Sequence, residues 1–186
     1  MPERTIVQIV GQPGSGKSEV CNHLAEKYGF TSLLISDLIR RFADDKGILL
    51  KERADYRSAH AQLLADQGEY AITDEILKID SELICVDGMR VPAHAARLRS
   101  KARSMIIALN CPARVRFDRS LLRARGIDSP NYEEFLLDEE QDFYNQDPFV
   151  QSTGTVMEMA DHQVNSSVPL IQVFQTVDAF VEPFVE

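Results

Sequence analysis

Residues Gly11–Ser18 read GQPGSGKS, and our fold prediction starts from this stretch. It matches the phosphate-binding pattern G-x-x-x-x-G-K-[ST] at every defined position. The apolar run Thr5–Val10 precedes it, and a segment with helical spacing begins near Lys17. A glycine-rich loop between a strand and a helix N-terminus presents backbone N–H groups to phosphate oxygens. The stretch therefore predicts a P-loop that binds a nucleotide.

The chemistry of this loop is predicted residue by residue. Its glycines allow the backbone to approach phosphate oxygens in conformations that a Cβ would obstruct. Lys17 is expected to bridge the β- and γ-phosphates of ATP, and the Ser18 hydroxyl to complete the coordination of Mg²⁺. The predicted nucleotide-binding residues are Gly11, Gln12, Pro13, Gly14, Ser15, Gly16, Lys17, Ser18 and Glu19.

A second metal signal follows a later strand. The apolar run Leu83–Val86 ends at Asp87, which is the pattern of a Walker B strand. A carboxylate in that position can hold water on the Mg²⁺ beside the loop serine. The alternative is that Asp87 only begins a turn with Gly88. Given the P-loop upstream, we predict Ser18 and Asp87 as the metal-site residues.

Strand-like and helix-like segments alternate along the chain. Strands are predicted at Thr5–Val10, Ser32–Ile35, Leu83–Val86, Met105–Cys111 and His162–Asn165. Helices are predicted from Lys17 to the stop signal Gly29, over Asp37–Lys46 with Ser36 as N-cap, over Lys51–Gln67 and Glu69–Ile79, from Pro112 to about Arg123, and over Pro169–Val181. This alternation predicts an α/β domain whose parallel sheet has helices on both faces. Residues 36–79 and 116–147 are predicted as insertions around that core.

Charged residues after the strands are candidates for acceptor binding. Asp37 and Arg40 start the helix after the second strand, and Arg90 follows the third strand. Both places lie at the sheet edge where open α/β sheets bind ligands. Arg40 can grip a phosphate through two parallel hydrogen bonds. Asp37 can cap its helix, hold Arg40 or accept a substrate proton, and the sequence leaves these three roles open.

A cluster of arginines marks the second insertion. Arg116, Arg119 and Arg123 recur at i, i+3 and i+7 on one helical face, with Arg125 just beyond. Phosphoryl transfer needs cations to neutralise charge, and a closing arm can deliver them. The alternative is a solvated face that pairs with the acidic residues downstream. We favour a catalytic role for Arg119 and Arg123, and we interpret the acidic run Asp138–Gln141 as a solvated helix face.

Composition narrows the functional classes. The 186 residues carry a formal net charge of −9, which argues against general nucleic-acid binding. The three cysteines are widely spaced and predict reduced, buried thiols, and the four histidines have no metal-site spacing. No segment is apolar enough to span a membrane or to serve as a secretory signal. We therefore expect a cytoplasmic protein, a monomer or a small homo-oligomer.

These motifs together resemble the nucleoside monophosphate kinase group of P-loop proteins. The sequence is most similar to small adenylate-kinase-related proteins that also resemble dephospho-CoA kinase. The stretches that carry the resemblance are GQPGSGKSEV at 11–20, SDLIR at 36–40, VDGMR at 86–90, RFDRSLLRAR at 116–125, EEFLLDEE at 133–140 and ADHQVN at 160–165. The sequence departs from adenylate kinases at Ser36, where those enzymes usually carry glycine.

The resemblance implies further details of the fold and the site. It implies a single P-loop kinase domain over residues 1–186, with a five-stranded core, an acceptor-binding helical insertion at 36–80, and a short lid with its following helix at about 116–147. Arg40 and Arg90 match arginines that hold the acceptor's phosphate. Arg119 and Arg123 match lid arginines, the first packed on adenine and the second aimed at the phosphates. Asn165 matches the loop that lines the base.

The leading hypothesis is an ATP-dependent kinase that moves the γ-phosphoryl group of Mg-ATP to a nucleotide-like small molecule, a nucleoside monophosphate. One alternative is dephospho-CoA kinase-type transfer to a ribose hydroxyl, with Asp37 as the proton acceptor. Another is an ATP-binding regulatory protein that hydrolyses ATP slowly and has no small acceptor.

Overall fold

A parallel sheet of five strands forms the centre of the molecule. The computed structural model describes residues 4–123 and 131–185, and the side chain of Arg123 lies outside that description. The strands are β1 Thr5–Val10, β2 Thr31–Leu34, β3 Leu83–Asp87, β4 Arg103–Asn110 and β5 His162–Asn165. Their order across the sheet is β2-β3-β1-β4-β5, and every neighbouring pair is parallel. All carboxyl ends therefore lie at one edge, with β1 in the middle.

Helices connect the strands. They are α1 Lys17–Tyr28, α2 Ile35–Lys46, α3 Arg53–Gln67, α4 Ala71–Lys78, α5 Pro92–Lys101, α6 Ala113–Arg123, α7 Tyr132–Phe143, α8 Thr153–Glu158 and α9 Leu170–Val185. Within the ranges that the structure describes, none of these helices has the length and apolar character needed to cross a bilayer.

The sheet is buried on both faces. On β1, Ile6 packs into a cluster with residues of α2 to α5, whereas its neighbour Val7 packs into a second cluster with residues of α1 and α9. Successive side chains of a strand point to opposite faces, so this division requires helices on each side. The predicted α/β architecture, with helices on both faces of a parallel sheet, is confirmed.

The start of α2 differs from its prediction. Ser36 is not the N-cap, because the helix already begins at Ile35 and Leu34 occupies the cap position without a side-chain hydrogen bond. Ile35 is buried in the core, so β2 passes directly into the helix without a turn.

Helices α5 and α8 were not predicted, since α8 has only six residues and α5 has few large apolar side chains.

Two cysteines lie together where α1 packs against β3. Cys21 and Cys85 are both buried, with their Sγ atoms 2.9 Å apart, and Cys111 is half-buried. The hydrogen bond shared with Cys85, together with burial, raises the pKa of the Cys21 thiol well above its usual value. All three thiols are free. The prediction of buried thiols is confirmed for Cys21 and Cys85, which act as packing groups, and is wrong for Cys111.

The packing of α1 against the sheet generates a stability prediction. Leu24 is fully buried, so replacing it with alanine should lower the free energy of unfolding by about 2–5 kcal/mol. The same change at Leu122, which is 87% exposed, should cost less than about 0.5 kcal/mol. Urea denaturation followed by circular dichroism measures both. Equal losses in the two variants would contradict this packing.

Candidate active site

The P-loop lies at the carboxyl end of β1 and leads directly into α1. Gly16 is the N-cap of α1 in a left-handed conformation, with φ of 95° and no side-chain hydrogen bond to the first turn. Gly14 also has positive φ, and a Cβ at this position would lie 2.6 Å from the carbonyl oxygen of Arg116. The loop therefore needs glycine at both positions. Gly16 is required for its backbone conformation, and Gly14 is required both for its backbone conformation and for the lack of space for a Cβ.

The predicted phosphate and metal residues are held by short contacts. Lys17 Nζ donates to the carbonyl oxygens of Gly11 and Gln12, at 2.9 and 3.1 Å. Ser18 Oγ donates to Asp87 Oδ2 at 2.6 Å. Asp87 is the last residue of β3 and is 3% exposed, and its Oδ1 has no hydrogen-bond partner among the described residues. Strand pairing of β1 with β3 places this carboxylate beside the loop.

The residues at this point fit a magnesium ion. A hydroxyl and a carboxylate are the hard oxygen ligands that Mg²⁺ takes, usually together with water and substrate phosphates. The unsatisfied oxygen of Asp87 is a buried acceptor that a hydrated cation would satisfy. Ser18 and Asp87 would hold the ion.

A cavity of about 1250 Å³, including its open mouth, lies at the carboxyl edge of the sheet. The P-loop, the start of α1, helices α2 and α3 and the segment after β3 all contribute to its lining. Among the predicted residues, those that line it are Pro13, Gly14, Gly16, Lys17, Ser18, Arg40, Asp87 and Arg90. The structure thus brings the predicted phosphate, metal and acceptor residues into one space.

Asp37 lies apart from this group. It is not among the residues that line the cavity, and its side chain is 56% exposed. Its carboxylate accepts a hydrogen bond from Arg40, whose Nε also donates to Tyr56 Oη at 2.9 Å. Of the three roles that the sequence left open, the structure shows Asp37 holding Arg40.

The cavity wall is strongly cationic. Among the described residues, its charged side chains are two carboxylates, Asp87 and Asp142, and five cations, which are Lys17, Arg40, Arg53, Arg57 and Arg90. Sequence reasoning missed Arg53, Arg57 and Asp142. The i, i+4 spacing of the two arginines inside a predicted helix was an available signal, whereas Asp142 has no local signature. In a chain with a net charge of −9, this concentration of positive charge favours an anionic ligand.

Asp142 lies between two of these arginines. Its Oδ1 is 3.5 Å from Arg57 Nη1, and its Oδ2 is 3.6 Å from Arg90 Nη1. The contact between Asp142 Oδ1 and Arg57 Nη1 is too long for a hydrogen bond. Neither of these two atoms has another hydrogen-bond partner in the described chain. Burial lowers the pKa of Arg90 from its ordinary value. The arginines are therefore charge-compensated but keep hydrogen-bonding capacity for a ligand.

Arg116 supports the P-loop from behind. It is 2% exposed and forms a two-pronged ion pair with Glu139, while its Nη1 donates to the Pro13 carbonyl at 3.2 Å. Burial lowers the pKa of Arg116 to about 10, so the guanidinium is still cationic at neutral pH. The interpretation of the acidic run as a solvated face is wrong at Glu139, which is buried because it meets this arginine.

Arg119 and Asn165 lie on the β4–β5 side of the P-loop. Arg119 Nη2 donates to the Ser166 carbonyl at 2.8 Å, and its Nη1 lies 3.4 Å from the Gly14 carbonyl. Asn165 ends β5 and is exposed. Neither residue lines the cavity. Arg125 and the Arg123 side chain lie outside the described residues.

Comparison with known sequences places the chain in a family. A family model described as an AAA domain matches residues 10–135. The UPF0200 protein of Thermococcus gammatolerans is 30% identical over 169 residues, which cover 86% of this chain and 84% of that protein. The UPF0200 protein of Methanococcus maripaludis is 28% identical over 165 residues, 86% of each chain. The chain therefore belongs to the AAA domain family and to the family of the UPF0200 proteins.

Solved structures of small kinases share the fold over nearly the whole chain. The shikimate kinase of Acinetobacter baumannii, in complex with shikimate, superimposes with a TM-score of 0.63 at 16% identity, covering 100% of this chain and 97% of that one. A gluconokinase from Sinorhizobium meliloti gives 0.56 at 20% identity, covering 99% and 94%. The predicted P-loop kinase fold is confirmed, and at these identities the likeness is one of fold.

The contact between Gly14 and Arg116 generates a matched pair of variants. Gly29→Ala places a Cβ in open space at φ of 76°, so it should cost only the conformational penalty of about 1–2 kcal/mol. Gly14→Ala has a similar φ of 82° but adds the clash with the Arg116 backbone, so it should destabilise the fold more. Thermal and urea unfolding measure the difference. A loss no larger at Gly14 would contradict the close approach.

Proposed function

We propose that this chain is a kinase that transfers the γ-phosphoryl group of ATP to a small anionic acceptor. The leading acceptor class is a nucleoside monophosphate. The observation that carries the proposal is the shared cavity, whose lining includes Lys17, Ser18 and Asp87 together with Arg40 and Arg90. A nucleotide-binding loop and a cationic pocket in one space are what phosphoryl transfer between two anions requires.

The nucleotide half of the reaction is assigned to the P-loop. The N–H groups of the loop and of the first turn of α1 would donate to the phosphates, helped by the helix dipole. Lys17 would exchange its two backbone acceptors for phosphate oxygens, since both acceptors belong to the loop that surrounds the phosphates. Bound Mg²⁺ supplies charge neutralisation on the phosphates when held by Ser18 and Asp87.

Binding of the acceptor substrate is assigned to the arginines of α2 and of the segment after β3. Arg40 is oriented by Asp37 and Tyr56, and Arg90 is oriented by Asp142. Guanidinium groups fixed in this way bind phosphate or carboxylate at a lower entropic cost than mobile side chains do. Arg119, which joins the P-loop to the loop after β5, is proposed to line the nucleotide base together with Asn165, and Arg123 is proposed to reach the phosphates.

The two halves suggest a division of the chain into parts. We propose that residues 36–80 form the acceptor-binding insertion and that residues 116–147 form the lid and its following helix within one kinase domain. The arginines of α2 and α3 on the cavity wall support the first assignment. Closing such an arm excludes water and reduces the hydrolysis of ATP.

Two alternatives receive less support from the geometry. Transfer to a ribose hydroxyl, as in dephospho-CoA kinase, would need Asp37 as the proton acceptor, yet this carboxylate is exposed and paired with Arg40 outside the cavity wall. A regulatory ATP-binding protein without a small acceptor does not require the arginines of α2, α3 and the segment after β3 that share the cavity with the P-loop. Screening nucleoside monophosphates and dephospho-CoA for stimulated ADP release separates the three, because only a kinase responds to an acceptor.

The nucleotide half predicts that Lys17→Ala lowers turnover by about 10³-fold or more, because the cation that stabilises the transferring phosphoryl group is lost. Lys101→Ala, an exposed lysine at the end of α5, should have no effect. Acceptor-stimulated ADP release measures turnover, and circular dichroism confirms that both variants fold. Turnover at the wild-type level in the folded Lys17 variant would refute the proposed function.

The acceptor half predicts a contrast between two neighbouring arginines. Arg40→Ala should raise the KM for the acceptor by about tenfold or more, since it removes a charge-assisted hydrogen bond from the cavity wall. Its KM for Mg-ATP should stay the same. Arg41 is exposed on the same helix, so Arg41→Ala should change neither constant. Equal behaviour of the two variants would remove Arg40 from the acceptor site.

A further inference from the structure

His94 is a residue of the cavity wall that carries a buried hydrogen-bond acceptor without a partner among the described residues. It lies on α5, is 0% exposed and lines the cavity wall. Its Nε2 is 2.7 Å from the carbonyl oxygen of Glu69. A carbonyl oxygen only accepts, so Nε2 carries the proton and Nδ1 is left as an acceptor. No described residue donates to Nδ1. Burial lowers the pKa of His94, which favours this neutral form.

Gln151 presents a second acceptor of the same kind. It lines the cavity, and its buried Oε1 has no hydrogen-bond partner among the described residues. Two backbone hydrogen bonds fix its position relative to α5. Ser152 N donates to the Arg90 carbonyl at 2.8 Å, and Ala93 N donates to the Pro148 carbonyl at 3.0 Å. The segment that carries Gln151 is thus bonded to the segment that carries His94.

The cavity wall therefore makes two opposite demands on a ligand. The arginines are donors that need an anion, whereas His94 Nδ1 and Gln151 Oε1 are acceptors that need N–H or O–H groups. Leaving a buried acceptor unsatisfied is unfavourable, and a ligand that supplies a donor gains what the protein alone lacks. The cavity wall also includes apolar side chains such as Ile72 and Val91, which offer no donor of their own.

We infer that the acceptor substrate is a small anion that also carries hydrogen-bond donors, amino or hydroxyl groups, which His94 Nδ1 and Gln151 Oε1 accept. The inference rests on the proposed function and narrows its substrate class. A plain phosphate or an unsubstituted carboxylic acid would satisfy the arginines and leave both acceptors unsatisfied. Such donors have two chemical sources, the exocyclic amine of a nucleobase and the hydroxyl groups of a polyhydroxylated acid.

The first experiment compares ligand pairs that differ only in their donors. For the amine, the affinity of AMP is compared with that of purine riboside 5′-monophosphate, which lacks the 6-amino group. For the hydroxyls, gluconate is titrated against hexanoate, which has the same carbon chain and carboxylate. Isothermal titration calorimetry on the full chain gives each Kd. In at least one pair, the donor-bearing member should bind roughly tenfold or more tightly, as expected for a buried hydrogen bond.

The second experiment removes the protein's acceptors. Gln151→Leu and His94→Phe should each abolish this preference, by weakening the donor-bearing ligand about tenfold and leaving its donor-free partner almost unchanged. Gln62→Leu makes the same change on the exposed face of α3 and should preserve the preference. A merely structural effect would weaken both members of a pair equally. Because His94 is fully buried, the Gln151 variant serves if the His94 variant fails to fold.

Three outcomes would overturn the inference: equal affinity within both pairs, a preference that survives in both variants, or no binding by any of the four compounds. The proposed function is tested separately, through Mg-ATP binding and acceptor-stimulated ADP release in the unmodified chain. A chain that binds Mg-ATP and phosphorylates an acceptor without any preference for donors would retain the proposed function and lose only the inferred substrate class.

Discussion

The buried ion pair between Arg116 and Glu139 is the interaction on which the rest of the site depends. It fixes α7 against α6 and, through the Pro13 carbonyl, against the back of the P-loop. Removing one partner of such a pair leaves an uncompensated buried charge and typically costs about 3–5 kcal/mol. Glu139 and Asp142 are three residues apart and both buried, so they lie on the same face of α7. One helix face therefore supports the phosphate-binding loop and also places a carboxylate between the arginines of the cavity.

This arrangement explains how a strongly acidic chain can have a cationic cavity. The net charge of −9 is distributed over the surface, while five cations and two carboxylates line the cavity. Guanidinium groups packed so closely would repel one another, and Asp142 reduces that repulsion between Arg57 and Arg90. Its contacts are longer than hydrogen bonds, so a ligand can take up the donors of these arginines without first breaking a strong pair. The carboxylate lowers the cost of assembling the pocket without filling it.

The sequence predicted those parts of the site whose signals are local. The P-loop follows from eight consecutive residues, Asp87 from the strand that precedes it, and Arg40 from its place after β2. Asp142 was not predicted, and Glu139 was predicted only as one of the downstream acidic residues that could pair with the arginines on a solvated face. The buried roles of both arise from the packing of α7 against α6 and α3, which no local pattern records. Ser36 was assigned as an N-cap on residue type alone, whereas the helix begins two residues earlier than predicted because Ile35 is buried as its first residue. Local chemistry was predictable, and long-range charge compensation was not.

The same distinction bears on where specificity resides. Kinases that share 16–20% identity with this chain keep its fold, because the sheet and the P-loop fix the geometry of phosphate binding. The unpaired hydrogen-bond acceptors of the cavity wall, on His94 and Gln151, come instead from α5 and from the segment before α8. Two backbone hydrogen bonds join these two segments. Side chains there can change without disturbing the sheet, since the joining contacts are made by the main chain. A substitution at Gln151 would therefore alter which acceptor substrate is preferred. The charge balance set by Asp142 and the arginines would still require that substrate to be an anion.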